Sequence, residues 1–134
     1  MNELPCRVVR TGDSYVGRQG LTYFDGLTGA SAGTHGICMT IATLPPGAKA
    51  RAHLHREIET AVYVIEGEAS TYFGQRLEHV VLAKTGEYVY IPPNVPHLVI
   101  NESNAVCRAL VAHTAADDQA GIVLLPELDG LLQR

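Results

Sequence analysis

Apolar positions in this chain fall in short runs rather than at helical spacing. Residues 38–44, 61–65, 69–73, 80–82, 88–91 and 106–112 are each strand-length, enriched in β-branched and aromatic side chains, and flanked by turn-forming or charged residues. No long window repeats its apolar residues with a period of 3.6. Only residues 126–132 have the makings of a helical turn or two. The segment 11–36 is the least regular. It is rich in glycine and predicts loops with one or two short strands, such as residues 21–24. Many short strands at close spacing with almost no helix predict an all-β sandwich or small barrel.

Composition narrows this further. With 134 residues, one domain is the natural expectation, and it is large enough to bury a substantial core. Hydrophobic residues make up 46% and charged residues 18%, a globular balance that excludes a disordered chain. The formal net charge is −4, with no basic cluster, which argues against nucleic acid and anionic membrane as partners. No apolar run approaches the length of a membrane span, and no basic segment followed by an apolar stretch opens the chain. Three cysteines, Cys6, Cys38 and Cys107, form no CxxC pair. An odd number of isolated thiols fits a reducing cytoplasm better than a disulfide framework, and each is most simply a small packing residue.

The candidate chemistry lies between Gly47 and Asn101. His53 and His55 are two residues apart, so on a strand they project from one face, within ~7 Å of each other along the chain. Two imidazoles so placed can converge on one ion. Glu59 would lie about 13 Å from His55 on a continuous strand. It can join them only if Arg56-Glu57-Ile58 turns the chain. His97 follows the stiff stretch Pro92-Pro93-Asn94-Val95-Pro96 and opens another strand. Neutral imidazole and carboxylate suit a divalent transition metal, and three or four such ligands leave positions open for substrate.

These residues resemble the two motifs of the cupins. The first, G(X)5HXH(X)3–4E(X)6G, is matched by Gly47, His53-Leu54-His55, Glu59 and Gly67, with seven rather than six residues before the last glycine. The second, G(X)5PXG(X)2H(X)3N, is matched by Gly86, Pro92, His97 and Asn101, with Asn94 in place of the usual glycine. Asn tolerates the left-handed backbone such a turn requires. The resemblance implies a double-stranded β-helix, or jelly-roll barrel, formed by a single domain over residues 1–134. Its motif core is 47–101, with N-terminal strands and loops over 1–46 and C-terminal strands and a tail over 102–134. It also implies one divalent transition-metal ion (Fe, Mn, Ni or Zn) held by His53, His55, His97 and Glu59. The spacing leaves a rival: with the longer motif the ligand slot falls on Thr60, and the site is then three histidines, with Glu59 outside it. Glu57 is a weaker candidate within the turn. His35, His79 and His113 fit neither motif and are expected at the surface or in packing.

Lys49 and Arg51 share strand parity with His53, so a regular strand would point them inward, where Arg51 could anchor an anionic substrate. A rim salt bridge is the alternative. Tyr63 shares parity with Glu59 and is the best aromatic candidate for the pocket. Fold resemblance does not select a reaction. The leading expectation is a metal-dependent, oxygenase-like enzyme acting on a small polar or anionic molecule; isomerase and lyase chemistry remain open. The alternatives are a non-catalytic small-molecule or metal-binding cupin and a structural barrel with a vacant site. The resemblance further implies a homodimer, for which Arg7-Val8-Val9-Arg10 is a plausible edge strand.

Overall fold

The apolar runs become strands in the computed structural model, which describes residues 5–132. The glycine-rich start supplies β1 (Ser14–Val16), β2 (Thr22–Leu27) and a single helical turn, α1 (Gly29–Ala32). The turn opens on a reciprocal cap between Thr28 and Ser31, a local signal in a segment without helical periodicity. There follow β3 (Cys38–Leu44), β4 (His53–His55), β5 (Thr60–Glu66), β6 (Glu68–Phe73), β7 (His79–Lys84), β8 (Tyr88–Ile91), β9 (His97–Ile100), β10 (Cys107–His113) and β11 (Ile122–Leu124). The C-terminal apolar segment forms only a short 3₁₀ turn, Pro126–Leu128.

The strands form two antiparallel sheets, in the orders β1-β2-β3-β10-β5-β8 and β11-β4-β9-β6-β7. From β3 onward the chain changes sheet at almost every step, the winding of a double-stranded β-helix. β10 sits at the centre of the larger sheet, where His113 lies opposite Thr60 of β5 and Cys38 of β3. In the smaller sheet His53 of β4 lies directly opposite His97 of β9. Gly67, in the tight turn between β5 and β6, adopts φ 82°, and a Cβ there would lie 2.4 Å from the Val106 carbonyl oxygen. Only glycine fits both the conformation and the approach.

Alternation along the strands divides the apolar residues into two groups. Leu21, Tyr23, Ala42, Leu44, Val64, Ala83 and Cys107 pack between the sheets. Leu98, Ile100, Ala52, Tyr72 and Leu77 lie on the opposite face of the smaller sheet, where Leu125, Leu128 and Leu132 cover them. The C-terminal segment therefore makes β9 a strand buried on both faces. Asn101, which ends the second motif, is fully buried with its amide satisfied at every position. Its Nδ2 donates to the Leu44 and Ala105 carbonyls, and its Oδ1 accepts from the Ser103 backbone N–H and hydroxyl. Arg7-Val8-Val9-Arg10 does not form the expected edge strand. It runs as mostly exposed chain, with Val9 half-buried, outside the described strands, and the Arg7 guanidinium instead donates to the Ala32 carbonyl.

Candidate metal centre

His53, His55 and His97 converge. β4 alternates buried, half-buried, buried, which turns both of its histidines inward, and the β4–β9 register sets His97 beside them. Ring centroids are 4.3 Å apart for His53 and His97, 5.1 Å for His53 and His55, and 5.6 Å for His55 and His97. One nitrogen from each ring lies within 4.8 Å of the other two.

The backbone sets the tautomers. His53 Nδ1 is 2.7 Å from the Arg51 carbonyl oxygen and His97 Nδ1 is 2.9 Å from that of Val95. A carbonyl can only accept, so both Nδ1 atoms carry the proton and Nε2 keeps its lone pair, the form a metal takes. His55 Nδ1 is buried without a hydrogen-bond partner. Burial pushes His55 and His97 down to about 4, reinforced for His55 by the His113 ring and for His97 by His55. It pushes His53 well below the usual imidazole range, helped by the neighbouring His97 and His55. The three rings are thus neutral at pH 7, and three neutral imidazoles with a nitrogen each within 4.8 Å fit a metal ion.

Glu59 does not join them. The chain turns at Arg56 and Glu57, as the spacing required, and Glu57 adopts φ 61°. The turn ends one residue later than a glutamate ligand would need, so Thr60 takes the inward position. Thr60, Val62 and Val64 face the interior, while Glu59 is exposed and accepts a hydrogen bond of 2.7 Å from the Tyr90 hydroxyl. Tyr63 shares the parity of Glu59 and is likewise turned away from the cavity, its ring 4.8 Å from that of Tyr88. Glu57 is held outside by Asn94. Its backbone N–H donates to Asn94 Oδ1 and its carboxylate accepts from Asn94 Nδ2, both at 3.0 Å. Asn94 adopts φ 66°, the left-handed conformation expected where the motif has glycine.

Arg51 is also displaced. Ala52 and His53 are consecutive buried residues, so the alternation slips just before β4 and the parity of Arg51 no longer follows that of His53. Arg51 Nε lies 3.9 Å from Asp129 Oδ2, with both side chains solvent-accessible. Lys49 Nζ donates to the Leu132 carbonyl at 2.5 Å. Both cations are tied to the C-terminal segment at the rim, and neither lines the cavity.

The structure adds His113 to the cavity wall. Its ring centroid is 4.7 Å from that of His55, and its Nδ1 is 2.8 Å from Thr60 Oγ1. Burial, then the nearby His97, pushes it down to about 4. Its signal was present in the sequence: Cys107, Ala109 and Val111 face inward, and strict alternation carries His113 with them. His35 and His79 are exposed. Cys38 is buried but does not line the cavity, and its thiol is pushed up to about 11, chiefly by burial. The open space inside is about 70 Å³, well below the few hundred Å³ of a site for drug-sized molecules. Gln19, Thr60, Thr71 and the four histidines are its main polar wall. The remainder is largely aliphatic, with no carboxylate, lysine or arginine among the described residues.

The cupin-domain family profile matches residues 40–113, more than half of the chain. The chain belongs to the cupin family. Among curated proteins, this cupin is 33% identical over 70 residues to the uncharacterized protein MJ1618 of Methanocaldococcus jannaschii; the match covers 52% of this chain and 53% of the relative. The cupin thus spans about half the length of that relative. Among solved structures, it superposes on an uncharacterized conserved protein with a double-stranded β-helix domain from Klebsiella pneumoniae, with a TM-score of 0.63, 19% identity and 84% of each chain covered. It also superposes on an oxalate oxidase in complex with the substrate analogue glycolate, with a TM-score of 0.65 and 20% identity, covering 84% of this chain and 60% of that one. At these identities the structural likeness establishes the fold.

Proposed function

We propose that this cupin holds one divalent transition-metal ion, Fe, Mn, Ni or Zn, through His53, His55 and His97. The observation that carries the reading is three buried, neutral imidazoles with ligand nitrogens within 4.8 Å of one another, two of them fixed by backbone carbonyls. The ion would supply Lewis-acid or redox chemistry. The protein would supply a small, mostly aliphatic chamber that excludes water and admits a compact organic molecule. Three neutral ligands leave the ion's +2 charge uncompensated, which favours an anionic or oxygen-donor ligand such as a carboxylate or keto acid. An oxygenase-like reaction on such a molecule is the leading function. The fold shared with an oxalate oxidase supports it as analogy. The second reading is a cupin that binds a small molecule without turnover, favoured by a cavity wall with no carboxylate, lysine or arginine among the described residues.

Elemental analysis of protein purified without added metal, followed by an oxygen-uptake screen against small carboxylates, tests both readings. A near-stoichiometric transition metal is expected, lost in His53→Ala and His97→Ala and retained in Glu59→Gln, whose carboxylate is occupied outside. Full metal content in both histidine variants would refute the assignment. Tight ligand binding without oxygen uptake or product selects the second reading.

The homodimer is likewise part of this reading, through a different surface from the one expected. Ile37, Met39, Tyr88 and Tyr90 are exposed apolar or aromatic residues of the larger sheet and its approach, suited to covering by a second copy. The three thiols are unpaired, which supports a reducing compartment such as the cytoplasm.

A further inference from the structure

The buried pair Thr60–His113 has no part in holding the ion. The ring nitrogens of His113 fall outside the set of ligand atoms that converge in the triad. Yet the ring lines the same cavity and packs 4.7 Å from His55. Thr60 is its cross-strand neighbour, and Thr60 Oγ1 lies 2.8 Å from His113 Nδ1. The direction of this bond follows from accounting. If Nδ1 donated, the buried Thr60 hydroxyl proton would have no acceptor among the described residues, which is costly. Donation from Thr60 to Nδ1 satisfies the hydroxyl and leaves the ring's single proton on Nε2. Among the described residues no acceptor is paired with that N–H. The cavity that the ring lines is otherwise walled by the triad, Gln19, Thr71 and mostly aliphatic side chains, so a molecule that enters it can supply the acceptor.

We infer that His113, positioned by Thr60, donates a hydrogen bond from Nε2 to an anion bound beside the histidine triad and so selects anionic ligands. The inference rests on the metal reading above and adds the residue that recognises the ligand. Thr60 stands inward where the motif would put a ligating carboxylate, so the site would bind an outside anion in place of an internal one.

Cobalt(II)-loaded protein titrated with azide, followed by visible absorption, tests it; cobalt affinity is measured separately by chelator competition. His113→Phe keeps the ring and removes the donor, and Thr60→Val keeps the shape and removes the hydroxyl. The azide dissociation constant should rise at least ~10-fold in His113→Phe and ~3-fold in Thr60→Val. The cobalt dissociation constant should stay within about 2-fold of wild type, because neither residue belongs to the triad and the bond between them goes to no triad ring. If His113→Phe fails to fold by circular dichroism, Thr60→Val decides. Unchanged azide affinity in the folded variants overturns the role of His113. A collapse of cobalt affinity in His113→Phe makes it a ligand and also overturns the inference. Wild type that takes up cobalt but no azide overturns the inference alone, and wild type that takes up no cobalt overturns the metal reading with it.

Discussion

Asn94 shows how one side chain can hold two turns and, through them, the site. Its φ of 66° costs most residues about 1–2 kcal/mol, and Asn offsets this with local hydrogen bonds. Here those bonds go to Glu57, and the Asn94 backbone N–H also donates to the His55 carbonyl at 2.9 Å. Asn94 thus ties the end of β4 to the loop that delivers His97. Asn94→Ala adds strain and removes both side-chain bonds, and should cost about 2–3 kcal/mol. Asn94→Gly removes the bonds without the strain, and should cost about 1 kcal/mol. Urea unfolding midpoints check the order; equal midpoints would show that the left-handed backbone is not what selects Asn. The asparagine was legible in the sequence as a residue able to adopt this turn. Its partner Glu57 was not, because it lies 37 positions away.

At the scale of elements, the decisive feature is the seam between β11 and β4. Ile122 pairs with His55, and the Arg56 N–H donates to the Gly121 carbonyl just beyond the ladder. Gly121 adopts φ 68°, and a Cβ there would lie 2.9 Å from the Arg56 carbonyl oxygen and 2.8 Å from Ile58 Cδ1. Backbone cannot yield as a side-chain tip can. Gly121→Ala should therefore destabilise by about 2–3 kcal/mol and weaken metal uptake by shifting His55. Gly47→Ala, with φ 79° but open space around it, should cost only about 1 kcal/mol. Thermal midpoints of the two variants, with metal content by elemental analysis, would sink this account if Gly47→Ala proved the more damaging. Strand positions were readable from the apolar runs, but the β11–β4 seam was not. It joins residues more than sixty positions apart, and neither strand exceeds three residues.

At the scale of the whole molecule, four buried histidines on two sheets make the fold sensitive to acid. His55, His97 and His113 are pushed down to about 4, and His53 lies well below the usual range, chiefly through burial. In the unfolded chain each titrates near 6.5. Between about pH 4 and 6.5 the unfolded chain therefore binds more protons than the folded one, and stability falls as pH falls. It is fully present above about pH 6.5 and erodes below, by up to ~1.4 kcal/mol per pH unit for each site that differs fully. Coupling among the rings makes the total less than four times this figure. Metal-free protein should lose many degrees of thermal midpoint between pH 7 and pH 5, and a flat profile would contradict the burial of these rings. At pH 7 a metal ion should raise the midpoint, because it binds rings that are already neutral.

The order of residues alone determined most of the strands, though not β1 and β11, together with the cupin motifs, the three convergent histidines and the left-handed turn at Asn94. Each of these depends on spacing within a strand or a turn, where chain geometry is nearly invariant. Only the tertiary structure decided which side chains around the triad face inward. The alternation slips between Ala52 and His53 and restarts after the turn at Glu57. Those single-residue slips send Arg51, Glu59 and Tyr63 outward. They also set Thr60 against His113, a contact across 53 positions that depends on the register of β5 and β10. A period of two residues makes each slip an inversion of face, so parity counted from a distant motif fails at the first irregularity between them.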